Sequence, residues 1–127
     1  MDRVAVGRWI DAYERAWRTA GTECLASLFT DDATYSMDPY GDTAQGLVAI
    51  GGLWERERVG PDERFTMSYE LVAVDGGTGV ARVEVQYLDK PQAYRDLWIM
   101  QFAADGRCRA FEEWPYWPGK FHEGGEQ

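Results

Sequence analysis

Histidine is nearly missing from this chain of 127 residues: His122 is the only one, set in a Gly-rich, charged stretch near the C-terminus. That scarcity excludes His-dependent triads and His-rich metal sites, and no metal is expected. Cysteine is almost as scarce. Cys24 and Cys108 lie far apart with no second pair, so neither a disulfide framework nor a zinc site is suggested, and two buried thiols are expected. No apolar run approaches the ~20 residues that a membrane-spanning helix needs. Met1-Asp2-Arg3-Val4 lacks a signal-peptide pattern, so a cytoplasmic location with no membrane partner is expected. Cations are outnumbered as well, 13 Lys and Arg against 22 Asp and Glu, for a formal charge of −9. Such a field repels a phosphate backbone, and no basic stripe offsets it. Nucleic acid is therefore not expected as a partner.

Apolar residues are plentiful at 45%, enough for one domain with its own core and too many for intrinsic disorder. Aromatics stand out, with six Trp and seven Tyr. Their N–H and O–H groups need partners when buried, so such a core is either large-celled or wraps a ligand cavity.

Val6, Trp9, Ile10, Tyr13, Ala16, Trp17 and Ala20 recur at spacings of three and four, one face of an amphipathic helix ended by Gly21. Thr22 is placed to cap a short second helix carrying Leu25, Leu28 and Phe29. Ala33 to Met37 reads as a short strand running into the turn Asp38-Pro39-Tyr40-Gly41. A third helix follows Gly46 and ends near Arg58, with Pro61 marking the break. From there the period changes. Phe65–Val74, Val80–Leu88, Tyr94–Ala103 and Arg107–Tyr116 are strand-like and joined by short hairpin chemistry, which predicts an antiparallel meander. Helices first and strands afterwards predict an α+β fold in one domain, residues 1–127, with 118–127 a loose tail.

This order of elements resembles the nuclear-transport-factor-2-like, or SnoaL-like, superfamily. Leu28-Phe29-Thr30-Asp31-Asp32-Ala33-Thr34-Tyr35 is similar to the family's helix–strand junction, and Gly46 with Ala49-Ile50 and Trp54 to the start of its third helix. Phe102 through Asp105-Gly106 to Phe111-Glu112-Glu113-Trp114 resembles its last hairpin. The resemblance implies a cone-shaped, curved antiparallel sheet against three N-terminal helices, a small apolar ligand and a homodimer. It does not choose between isomerases, cyclases or dehydratases and non-catalytic binding or interaction modules. The stretch from Asp32 to Gly41 is similar to the ketosteroid isomerase segment carrying the general base, and the likeness puts Asp38 on that base. An ungapped count puts Tyr13 on the tyrosine that donates to the dienolate oxygen. Trp98 falls where those isomerases hold a protonated aspartic acid. An indole N–H donates but cannot titrate, which argues against copying the isomerase reaction.

Each candidate has two readings. Asp38 is either a base or the first residue of a surface turn. Tyr13 is either an oxyanion donor or a core tyrosine. Tyr94, Asp96 and Trp98 alternate on one face of their strand, and a charged Asp96 there is expected at the rim, facing water. Phe111 and Glu113 share a face of the last strand. Glu113 is either a buried acid with a raised pKa or a carboxylate paired with Arg95 or Arg109. Trp17, Tyr35 and Trp54 are expected to close the cone. Val83, Val85 and Tyr87 alternate with Arg82, Glu84 and Gln86, giving the middle strand one apolar and one polar face. No cofactor is called for by this chemistry.

Overall fold

The computed structural model describes residues 1–58 and 63–120. His122 and most of the expected tail lie outside the described residues. The first helix, α1 (Arg3–Trp17), begins where the Asp2 carboxylate accepts a hydrogen bond from Ala5 N at 2.8 Å. Its apolar stripe Val6, Trp9, Ile10, Tyr13 and Ala16 is buried. The helix stops short of Ala20, and Arg58 supplies the reason. Its guanidinium donates to the carbonyls of Ala16 (3.3 Å), Thr19 (2.8 Å) and Gly21 (3.0 Å), serving oxygens that the helix end leaves orphaned. Gly21 then reverses the chain at a φ of 83°, a conformation that glycine adopts without strain.

One turn of helix, α2 (Leu25–Leu28), follows, with Cys24 rather than Thr22 at its cap. Strand β1 (Phe29–Ser36) starts four residues earlier than the sequence suggested. A three-residue strand β2 (Thr43–Gln45), not read from the sequence, pairs back on it. Helix α3 (Leu47–Glu57) closes the helical half.

The meander consists of β3 (Phe65–Asp75), β4 (Thr78–Tyr87), β5 (Ala93–Phe102) and β6 (Cys108–Tyr116). These match the four expected strands to within a residue or two at each end. The six strands lie in the order β2-β1-β6-β5-β4-β3. All neighbours are antiparallel except β1 and β6, which run parallel. The sheet is therefore mixed, a correction to the wholly antiparallel expectation. The alternating meander brings β6 back in the direction of β1, and the two meet through their edges rather than through a hairpin. A bulge between Leu71 and Ala73 interrupts the β3–β4 register, the kind of break that adds twist and bend. The sheet stays open and curves around the helices.

The helices pack on the concave face. Gly7 lets α1 come close to β3: Tyr69 Oη donates to Gly7 O at 3.3 Å, and a Cβ on Gly7 would stand 2.9 Å from that hydroxyl. Val83 is fully buried while Arg82 and Glu84 are exposed, so the apolar face of β4 is the inner one. The outer face carries the ion pairs Arg82–Glu70 and Arg95–Glu84. Cys108 is buried, its thiol pushed up to about 12 by desolvation. Cys24 is only half-buried, not fully buried as expected.

Candidate functional site

Alternation along the strands decides which side chains reach the inside of the cone. On β1 it turns Tyr35 inward, and Met37 beyond the strand end also faces the interior. On β5 it turns Tyr94, Asp96 and Trp98 inward, and on β6 Phe111, Glu113 and Pro115. Trp98 lies directly across from Glu113 and Asp96 across from Pro115, so Asp96 and Glu113 are diagonal neighbours on adjacent strands. From the helices come Tyr13 and Trp17 on α1, and Leu53, Trp54 and Glu57 on α3. Together these surround a cavity of about 440 Å³, to which Glu63, Tyr87, Lys90 and Trp117 also contribute.

Eight residues singled out from the sequence line this one volume: Tyr13, Trp17, Tyr35, Trp54, Tyr94, Asp96, Trp98 and Glu113. Phe111 does not line it. At 1% exposure it lies beneath the floor, its ring 4.7 Å from Tyr35 and 5.0 Å from Trp98. Asp38 is not brought there either. It sits on an exposed turn, where its carboxylate accepts a hydrogen bond from Tyr40 N at 2.7 Å. The strand ends at Ser36, and Asp38 belongs to the turn that follows it.

The rim placement expected for Asp96 is corrected, because it is only 6% exposed. Its Oδ1 has no hydrogen-bond partner among the described residues. Burial raises its pKa, against the opposing influence of the Glu113 carboxyl and the Trp98 indole N–H. Glu113 is raised further. Burial is the main cause, and the hydrogen bonding and negative charge of Asp96 add to it. What surface Glu113 retains opens on the cavity. Arg95 is engaged with Glu84 on the outer face, so the pairing imagined for Glu113 with that arginine does not form. The two neighbouring carboxyls titrate as a pair, and burial favours the protonated form of both.

Glu113 is held from behind. Tyr35 Oη donates to its Oε1 at 3.5 Å, and Tyr13 Oη lies 2.5 Å from Tyr35 Oη. In the Tyr13–Tyr35 contact either hydroxyl can donate, so the two phenols and the Glu113 carboxyl form one hydrogen-bonded row. Both phenols have pKa values raised well above the ordinary one by burial, with nearby Glu113 adding to each, so they act as neutral donors.

The indoles divide in a telling way. Trp9 donates to Leu28 O at 2.9 Å, Trp17 to Glu63 Oε1 at 3.1 Å, and Trp114 to Glu112 Oε2 at 3.0 Å. The buried Nε1 atoms of Trp54 and Trp98 have no partner among the described residues, and both side chains line the cavity. The Trp98 N–H acts on the Asp96 carboxyl and the Trp54 N–H on the Tyr35 hydroxyl, so the indoles are turned to the polar groups of the cavity wall. No group of three or more His, Cys, Asp or Glu able to hold a metal ion occurs among the described residues.

Several lining residues escaped the sequence reading. The apolar alternation Val83, Val85, Tyr87 was visible and points Tyr87 inward. Glu57 ends α3 and Glu63 precedes β3, and no local pattern aims them at a cavity; Pro61 lies outside the described residues.

An open curved sheet holding helices and an aromatic, carboxyl-lined cavity defines the cone fold of the nuclear-transport-factor-2-like class. The sequence matches the SnoaL-like domain over residues 8–111, and the chain belongs to that family. Solved structures agree on the fold. The proposed polyketide cyclase SMa1630 from Sinorhizobium meliloti is 22% identical, with a TM-score of 0.66, over 84% of this chain and 93% of that one. SalBIII, an epoxide hydrolase/cyclase-like enzyme in pyran ring formation in the polyether salinomycin, is 14% identical, with a TM-score of 0.73, over 91% and 93%. A de novo designed protein with a curved β-sheet is 15% identical, with a TM-score of 0.69, over 98% and 96%. Among curated proteins, none matches.

Proposed function

We propose that the chain is a cofactor-independent acid/base enzyme acting on an apolar, cyclic small molecule that bears a carbonyl or hydroxyl group. The observation that carries this reading is the Asp96–Glu113 pair, two carboxyls on adjacent strands, both shifted upward, at the wall of an aromatic cavity. In the resting state Asp96 is the carboxylate and Glu113 the acid. Asp96 accepts a proton from a C–H or O–H of the substrate. Glu113 hydrogen-bonds the substrate oxygen and delivers a proton where negative charge develops. Tyr35 and Tyr13 back the Glu113 carboxyl, and the Trp98 N–H supports the Asp96 carboxylate. This combination suits isomerisation, cyclisation or dehydration, in each of which one proton leaves and another arrives. The cyclase-type enzymes among the structural neighbours support the same group of reactions.

The reaction can be tested on surrogate ketones in place of the natural substrate. In D2O, a panel of cyclic ketones is incubated with the protein, and α-hydrogen exchange is followed by mass spectrometry. The native chain is expected to accelerate exchange for at least one ketone. Asp96→Asn should lower that rate by ~10²–10⁴, the range for loss of a positioned general base. Exchange undiminished in the variant contradicts the mechanism. Saturable binding with no exchange favours a ligand carrier using the same cavity.

A further inference from the structure

A carboxylate that acts as a base inside a cavity needs something to keep it charged, and the groups packed around Asp96 offer little. They are the Glu113 carboxyl on β6, the Tyr13 phenol on α1 and the Tyr94 phenol on its own strand, none of them cationic. Glu57 of α3 acts on Glu113 and Tyr94 and adds only negative charge. The lysine that lines the cavity, Lys90, is drawn to the Tyr87 ring, 4.5 Å from its centroid.

A second lysine is fixed on the other side of the mouth. Beyond β6 the chain turns, with Lys120 N donating to Trp117 O at 3.1 Å. The turn carries the Lys120 side chain back along the strand it has just left. Its Nζ donates to Pro115 O at 2.5 Å, and it stands 4.4 Å from the Tyr116 ring centroid and 4.5 Å from that of Trp117. Both ring distances are within the range of cation–π attraction, so three contacts hold one ammonium in place. Pro115 is the residue directly across from Asp96, and both line the cavity. Facing residues of an antiparallel pair stand about 5 Å apart, which puts the ammonium within reach of Asp96 by charge though not by hydrogen bond. Burial raises Asp96, and the Lys120 charge opposes that rise together with the Glu113 carboxyl and the Trp98 N–H.

We infer that Lys120 is a positioning residue for the acid/base pair: fixed at the Pro115 carbonyl by the C-terminal turn, its ammonium keeps Asp96 ionised as the base. Lys120 itself stands outside the cavity lining, so it acts through Asp96 rather than on a substrate. The two carboxyls thereby receive different neighbours. Asp96 lies beside the strand residue that anchors a cation, and Glu113 is backed by two phenols. This inference rests on the acid/base reading and names the residue that divides the roles within the pair.

The Asp96 side-chain carboxyl is followed by carbon-13 NMR from pH 3 to 9 in the full-length native protein and in two variants. Lys120→Gln keeps a hydrogen-bond donor for Pro115 O and removes the charge, whereas Lys120→Arg keeps the charge. In Lys120→Gln the Asp96 titration is expected to move up by at least ~0.5 in pH, less than the ~1–3 that a directly paired opposite charge produces. In Lys120→Arg it should remain at the native position. The rise of ketone exchange with pH should move up in Lys120→Gln alone, in step with Asp96. An Asp96 titration unmoved in Lys120→Gln overturns the inference. So does an equal upward shift in both variants, which would mark a purely structural role for the lysine. If the native chain exchanges no ketone, the acid/base reading falls, while the titration still decides whether Lys120 acts on Asp96.

Discussion

Tyr13, Tyr35 and Glu113 come from α1, β1 and β6, and their polar atoms meet in one line that ends at a carboxyl held above its usual range. The consequence at this scale is a pH dependence with a definite sign. Burial raises Glu113, so the native chain holds that proton more tightly than the unfolded chain does. The stability tied to it is fully present below the ordinary carboxylate range and is lost as pH rises through the raised native value. Glu113→Gln, which cannot titrate, should therefore gain stability relative to the native chain as pH rises from 4 to 8 in urea melts. Catalysis should fall in the same variant. Asp38 gives the opposite expectation. Its carboxylate is on an exposed turn, so Asp38→Asn should keep exchange activity within about twofold, since surface changes away from a site are mostly neutral. The family likeness points to Asp38, and the turn chemistry of Asp38-Pro39-Tyr40-Gly41 points to the exposed turn where the structure places it. Asp96 departs from its expected rim position for a different reason. Charged residues are rarely buried, and only the neighbouring strand reveals the carboxyl with which it titrates as a pair.

Among the elements, α1 and β6 determine the site. Helix α1 carries Tyr13 and Trp17, and its C-terminal end is fixed by Arg58, whose guanidinium is 4% exposed and reaches across from the end of α3. Arg58→Ala would strip several carbonyls of their donor and release the α1–α2 turn. A loss of about 2–4 kcal/mol in equilibrium unfolding is expected, in the range for breaking a buried charged network. Arg58→Lys should recover only part of it, because an ammonium cannot fan out over the same carbonyls. A loss below about 0.5 kcal/mol for Arg58→Ala, the size of an ordinary surface change, would show that the contacts are incidental. Hydrophobic spacing reveals α1, α3 and the four long strands because each buries a whole face. It does not reveal β2, whose residues Thr43, Ala44 and Gln45 have no apolar alternation and are strand only through pairing with β1. The parallel β1–β6 contact is equally hidden, since nothing local records which distant edge a strand will meet.

For the whole molecule, the sheet is a curved wall whose outer face carries ion pairs and whose inner face is packed with aromatic rings both in the core and around the cavity. The aromatic surplus foreshadows a cavity, and the formal charge of −9 foreshadows its acidic lining only in aggregate. Convergence of Asp96 and Glu113 depends on the β5–β6 register, which a shift of one residue would destroy. The coupled titration of this pair is the account's central claim, and carbon-13 NMR of the labelled Glu113 side-chain carboxyl, followed from pH 3 to 9, tests it most directly. The account predicts a protonated carboxyl at pH values where ordinary glutamates have lost their proton. It also predicts that the Glu113 titration moves down toward the ordinary value in Asp96→Asn, because the negative neighbour is gone. A Glu113 that titrates near 4.5, unaltered by Asp96→Asn, would contradict it.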